Sequence, residues 1–175
     1  ADLRAQIAAN RFGVQRFQAL CERYGVPLLT RAFDELLDYG ERRMRAGIAT
    51  IPDGVYRFED QFECDEWDET LTFKVEITVK GEEIHLDFKD NPPQIRAGLN
   101  MVETATLATV YYAIKCVTDP DAPPNAGLFR PITVSAKAGS ILNAVSPAAV
   151  NGRTNTCQRV VDVVHGALAQ AIPDR

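Results

Sequence analysis

The sequence predicts an α+β domain made of an N-terminal helical hairpin, an antiparallel sheet, and two further helices packed on the sheet. Three observations lead there. Apolar residues recur at helical spacing as far as Ile51, and the pattern then switches to strict alternation between Tyr56 and Phe88. Two further helical stretches, poor in charge, follow Asn100 and Asn155. With 175 residues and 46% hydrophobic content the chain can fill one sizeable core but not two. A single domain over 1–175 is therefore expected, with the hairpin in 1–51 and the α+β part in 52–175.

In the first helix Leu3, Ile7, Val14, Phe17, Cys21 and Tyr24 form one stripe. Asn10 falls inside it, so it either meets a polar network or sits at the edge of a drifting stripe. Gly25 closes this helix, and Pro27 suits the first turn of the next. The second helix, Leu28 to about Ile51, sets Leu29, Phe33, Leu36, Leu37, Gly40, Met44, Gly47 and Ile48 on one face. A short Gly-Val-Pro connection implies antiparallel packing. The Arg-rich segment Glu41 to Arg45 reads as a solvated face, or alternatively as a contact for an anion or a partner subunit.

Pro52-Asp53-Gly54 is a turn, after which Tyr56 and Phe58 begin a strand. The acidic run Glu59, Asp60, Glu63, Asp65, Glu66, Asp68 and Glu69 lacks the spacing of a calcium loop and reads as a solvated hairpin tip. Leu71, Phe73, Val75, Ile77 and Val79 alternate with polar residues in the clearest strand of the chain. Gly81 turns it into a partner strand carrying Ile84, Leu86 and Phe88. His85 and Asp87 then share the polar face, as solvated cross-strand partners or as a proton-transfer pair.

Asn100 and Glu103 have the spacing of a capping box, and the helix behind them, to about Val117, has so few charges that burial nearly all round is expected. Asp119 to Gly127 is a stiffened loop, Ile132 and Val134 mark another strand, and Ile141-Leu142 a short extended piece. The last helix starts near Asn155 or Thr156 and carries Val160, Val161, Val163, Val164, Leu168 and Ile172. His165 lies within it and reads as structural or solvated.

A net charge of -5 and a pI of about 5.1 argue against nucleic acid or anionic membrane as a principal partner. No apolar run approaches the roughly 20 residues that span a bilayer, and no signal-peptide pattern opens the chain, so a cytoplasmic protein is expected. Cys21, Cys64, Cys116 and Cys157 are widely spaced, which predicts reduced thiols and offers no zinc or redox motif. The chain opens on Ala1 in the middle of a helical pattern and stops as a helix runs out, as an internal piece of a longer chain would.

Polar chemistry concentrates in three places. Ile84 to Asn100 (IHLDFKDNPPQIRAGLN) has more turn-forming and polar residues than a connection needs, and NAGLFRPI and NGRTNTCQR echo it. Asp87, Gln94, Asn100, Asn125 and Arg130 are the residues expected to shape a site or interface near the sheet ends. Arg153 and Asn155 stand where unsatisfied helical N–H groups favour an anion, or alternatively form an ordinary helix cap with a surface Arg. No Ser/His/Asp or Cys/His arrangement stands out, so these groups offer positioning and charge stabilisation rather than a nucleophile.

DLRAQIAANR, LLDYGERRMRAGIATIPDGVYRFED, LDFKDNPPQIRAGLN and NAGLFRPITV, in that order, resemble the hydantoinase B/oxoprolinase family along nearly the whole chain. The resemblance implies an internal part of a large B-type subunit of an ATP-dependent enzyme that hydrolyses a cyclic amide of the hydantoin or 5-oxoproline type, or carboxylates a ketone. It implies an A-type subunit or domain that handles ATP, a hetero-oligomer, and ATP with a divalent metal in the full complex. The chain alone is expected to be inactive and to hold no cofactor. The family's His- and Asp-rich segment lies before DLRAQ, so no metal ligand is assigned to this chain. Asp87, Gln94, Gly98 and Asn100 match the family pattern, whereas Lys89-Asp90-Asn91 replace a small-residue segment such as SGTSPQ. Two rival readings are a non-catalytic domain that docks the ATP-handling subunit and an independent small binding protein.

Overall fold

The structure is a computed structural model that describes residues 2–65 and 67–174, without the side chain of Cys64. Glu66 of the acidic run and the Cys64 thiol thus lie outside the described residues. Two compact units divide between Tyr39 and Gly40.

The first unit is helical. Helix α1 spans Asp2–Tyr24, and α2 spans Val26–Ile48, starting two residues earlier than the sequence suggests because Val26 and Pro27 already fit its first turn. Gly25 adopts φ +78° and donates its N–H to the Cys21 carbonyl at 2.8 Å, a left-handed helix end that a residue with a Cβ would strain. Phe17 and Phe33 stack at 6.3 Å, which ties the two helices as a hairpin. Asn10 is exposed, so its carboxamide needs no internal partner.

The second unit contains the last turns of α2 and the sheet. Strands β1 (Gly54–Cys64), β2 (Trp67–Lys80), β3 (Glu83–Asp87) and β4 (Ile132–Ser135) lie in the order β1-β2-β3-β4. The first three are antiparallel, as the alternation predicts, and β4 joins β3 in parallel. A parallel neighbour requires a crossover, and the long segment from Phe88 to Pro131, with helix α3 (Glu103–Thr118) and a 3-10 turn at Ala126–Phe129, supplies it. Gly81, at φ +61°, makes the β2–β3 turn, and its N–H is held by Asp53 Oδ1 at 2.7 Å.

Leu71, Phe73, Val75, Ile77 and Val79 put one face of β2 into the core, where helix α4 (Arg153–Leu168) meets it with Val160, Val163, Val164, Ala167 and Leu168. Each such side chain, fully buried, stabilises the fold by roughly 1.5–3 kcal/mol. Helix α3 packs against α4, and Met44 and Ile48 bring the end of α2 into the same core. The expectation that α3 is buried nearly all round is not met. Only one face is covered, by Thr106, Thr109, Val110, Ala113 and Ile114, while Tyr112 is 60% exposed. Low charge reflected small and hydroxylated residues, not burial on every side.

The outer face of the sheet is polar. Cross-strand partners Arg57 and Glu76 pair at 2.6 Å, and Glu59 and Lys74 at 3.4 Å. The described acidic residues of the β1–β2 ribbon tip are solvent-facing, apart from half-buried Asp60, which pairs with Arg159 at 2.9 Å. Two of the three arginines at this end of α2 are tied internally, Arg43 to Asp119 at 2.5 Å and Arg45 to Glu41 at 2.8 Å, while Arg42 is exposed. Cys21, Cys116 and Cys157 are free thiols, and no described helix is long and apolar enough to cross a membrane.

Candidate functional site

Two irregular segments, 88–101 and 136–152, are zipped together beside the sheet, and the first carries Gln94 and Asn100 of the residues singled out above. Backbone bonds join them: Ile141 N–H to Pro92 O (2.9 Å), Gln94 N–H to Gly139 O (2.9 Å), Met101 N–H to Ile141 O (2.7 Å) and Gly152 N–H to Gly98 O (2.9 Å). Buried backbone groups must be paired, and here each loop serves as the other's partner.

Asn100 is the hub. It is fully buried, its Oδ1 accepts the Ile95 N–H at 2.8 Å, and its Nδ2 lies within 2.8–2.9 Å of the carbonyls of Ile95, Ala97 and Ala149. The capping-box expectation is thereby overturned. Helix α3 begins at Glu103 behind Val102, with no side-chain cap, because the Asn100 carboxamide is already committed to loop backbone. Gln94 behaves alike, its Oε1 accepting the Val145 N–H at 2.8 Å. Gly98 is required here, since an added Cβ would overlap the Asn151 side chain.

Arg153 and Asn155 sit at the start of α4, directly after the residues joined to Gly98. Both are exposed, Gly152 gives the helix no side-chain cap, and the guanidinium of Arg153 has the Val150 carbonyl at 3.2 Å. Thr156, one turn in, is buried and donates to Leu99 O at 2.5 Å, which fixes the helix start against the Gly98–Asn100 loop. Gln94, Asn100, Arg153 and Asn155 therefore belong to one neighbourhood.

Asp87 lies at the end of β3, on the sheet's outer face, by a concavity of about 640 Å³ lined by Arg57, Glu59, Lys74, Glu76, Asp87 and Lys89 among others. Its carboxylate accepts the Lys89 N–H at 2.8 Å and pairs with Lys89 Nζ at 2.9 Å. Burial is the largest single influence on Asp87 and pushes its pKa up, but the hydrogen bonds from Lys89 and the charges of Lys89 and His85 together outweigh it and hold the group below its ordinary value. His85 turns away from a proton-transfer partnership. Its Nδ1 lies 2.8 Å from Thr133 Oγ1 and its Nε2 3.4 Å from Ser135 Oγ, both on β4. His165 is structural, with Nε2 at 3.1 Å from Ala113 O.

Asn125 and Arg130 form a second cluster with the end of α2. Asn125 Oδ1 accepts the Gly127 N–H at 2.8 Å, and Arg130 pairs with Glu41 at 2.9 Å. Hydrogen bonds from Arg130 and then Arg45 lower the pKa of Glu41. Only Gly40 leaves room for the Asn125 side chain, since a Cβ there would come within 2.5 Å of Oδ1.

Sequence reasoning passed over Asn91 and Ser140. Asn91 Nδ2 donates to Lys74 O (2.8 Å) and Phe88 O (2.9 Å), and its Oδ1 accepts the Lys74 N–H (3.0 Å), so its side chain continues the β2 ladder where β3 has ended. That is the work done by the Lys89-Asp90-Asn91 departure. The Ser140 hydroxyl is buried without a partner, and no sequence signal announces it. Among the described residues no group of three or more His, Cys, Asp or Glu is arranged to hold a metal ion.

The fold is an α+β unit with a tightly zipped polar loop pair at the start of its last helix. The model of the hydantoinase B/oxoprolinase family matches residues 1–175, and the chain belongs to that family. It is 37% identical over 175 residues to an uncharacterised protein of Methanocaldococcus jannaschii, covering 99% of this chain and 31% of the relative. It is 32% identical to the B-type subunit of a putative D-/L-hydantoinase from a Pseudomonas species, covering 98% of this chain and 31% of that one. The crystal structure of the ATP-dependent caprolactamase from Pseudomonas jessenii superimposes with a TM-score of 0.88 at 30% identity, over 99% of this chain and 30% of that chain. The chain thus spans about 31% of the length of the curated relatives it matches first.

Proposed function

We propose that this chain is part of the B-type subunit of an ATP-dependent enzyme that hydrolyses a cyclic amide, inactive alone and working with an A-type subunit that handles ATP. The observation that carries the reading is the match to the family over the whole chain, with relatives named as a hydantoinase subunit and as a caprolactamase. Hydantoin and caprolactam are both cyclic amides, which favours ring hydrolysis over ketone carboxylation. ATP and a divalent metal belong to the complex in this reading, outside the residues of this chain.

Within the chain, Asn100, Gln94, Asn125 and Arg130 act as framework, because their polar atoms are taken up by loop backbone or by Glu41. Arg153 and Asn155 remain turned outward at the N-terminal end of α4 and are the residues suited to steady an anionic, phosphorylated intermediate. The docking alternative draws on the same exposure: an outward-facing pair can equally meet another subunit.

Replacing Arg153 by Ala in the full enzyme of A-type and B-type subunits separates the two. The catalytic reading predicts that assembly on a sizing column is kept while turnover falls about 100-fold, the scale of one lost charge-stabilising donor. Dissociation of the subunits with normal turnover in the remaining complex would establish docking instead.

A further inference from the structure

Helix α1 is 23 residues long, and none of them is buried. Leu3, Ile7, Val14 and Phe17 recur at helical spacing with 49–75% of their surface open, and Phe33 and Leu36 of α2 are similarly exposed. The predicted apolar stripes therefore exist, and the Phe17–Phe33 stack joins them while leaving much of both open. A two-helix unit that ends at Tyr39 has no core of its own, and chains shorter than about 40 residues rarely fold without help. Contiguous apolar surface of this kind marks a covered face.

Charge and length narrow the occupant. Over Asp2–Tyr39 five arginines balance five acidic residues, so the hairpin offers no electrostatic complement to a strongly charged partner and suits permanent, apolar packing. The hairpin is included in the alignment over 99% of this chain to a relative of which it makes up only 31%. In a polypeptide of that length, roughly two thirds of the residues lie outside the region described here and are covalently at hand. We propose that the apolar face of the hairpin is covered by the remainder of the same B-type polypeptide, not by the A-type subunit or by a second copy. The inference rests on the reading of this chain as part of a longer B-type subunit.

The test uses the full B-type polypeptide with Ile7→Cys or Val14→Cys, labelled by a maleimide and corrected for the unsubstituted protein. Amide hydrogen exchange over α1 in the unsubstituted protein serves as a second readout. The expected result is labelling at least tenfold slower than a free thiol in the isolated, monomeric subunit, with slow exchange in α1, unchanged by dilution or by the A-type subunit. Labelling at the free-thiol rate in that monomer overturns the proposal. So does protection that appears only on adding the A-type subunit, or only as dimers form. Amide-dependent ATP turnover once the A-type subunit is added to the same preparation reports separately on the proposed reaction, so loss of one claim is distinguishable from loss of the other.

Discussion

At the position of Asn100 a two-hydrogen amide faces three carbonyls and one N–H of the loop pair, so all of its hydrogen-bonding capacity is used inside the protein. Removing a buried partner leaves these backbone groups desolvated and unpaired. Asn100→Ala should accordingly destabilise the protein by about 2–4 kcal/mol, seen as a lower urea midpoint at unchanged slope. Asn100→Asp should be at least as damaging, because an oxygen would replace the Nδ2 that now faces three carbonyls. The sequence showed that this residue is exceptional without showing why. Its partners lie 3, 5 and 49 residues away, and the Asn-x-x-Glu spacing suggested a cap that the true helix start at Glu103 does not use. Asn91 makes the same point, since its ladder-like pairing with Lys74 depends on where β3 stops.

Whole elements were easier to read than single residues. Alternation in β2 and the stripes of α1 and α2 follow from periodicity alone, and both turn glycines, Gly25 and Gly81, take the positive φ their places demand. The parallel pairing of β4 was not legible, because a four-residue strand carries no signal of direction. Nor was the half-exposure of α3, where small and hydroxylated residues look alike on covered and open faces. Gly166 in α4 is a further case of close packing invisible to a pattern. Alanine favours an isolated helix over glycine by about 1 kcal/mol. Yet a Cβ at 166 would come within 2.6 Å of the Phe58 ring, where α4 meets β1. Gly166→Ala should therefore lower the stability by about 1–2 kcal/mol, and adding Phe58→Leu should recover part of the loss, measured as thermal unfolding of the single and double variants.

Taken as a whole molecule, the chain carries a well-filled core, a polar loop pair and a hairpin whose apolar stripes remain open. The family was legible because four segments spread over the chain keep their order, and the match over 1–175 agrees. The chosen residues were legible as polar positions but not in their roles: Gln94 and Asn100 bind the loop pair together, and Asn125 and Arg130 are tied beside the end of α2. Loops held together by their own side chains fit the proposed reading of the chain as one module of a longer B-type subunit. The most direct measurement is ADP formation by the complete enzyme of A-type and B-type subunits, followed with a cyclic amide or with a ketone plus bicarbonate. Cyclic amide hydrolysis predicts ADP and ring-opened acid appearing in step, only with amide and only with both subunits present. Ketone-dependent ADP formation with a carboxylated product, or ring opening without ATP, would contradict it.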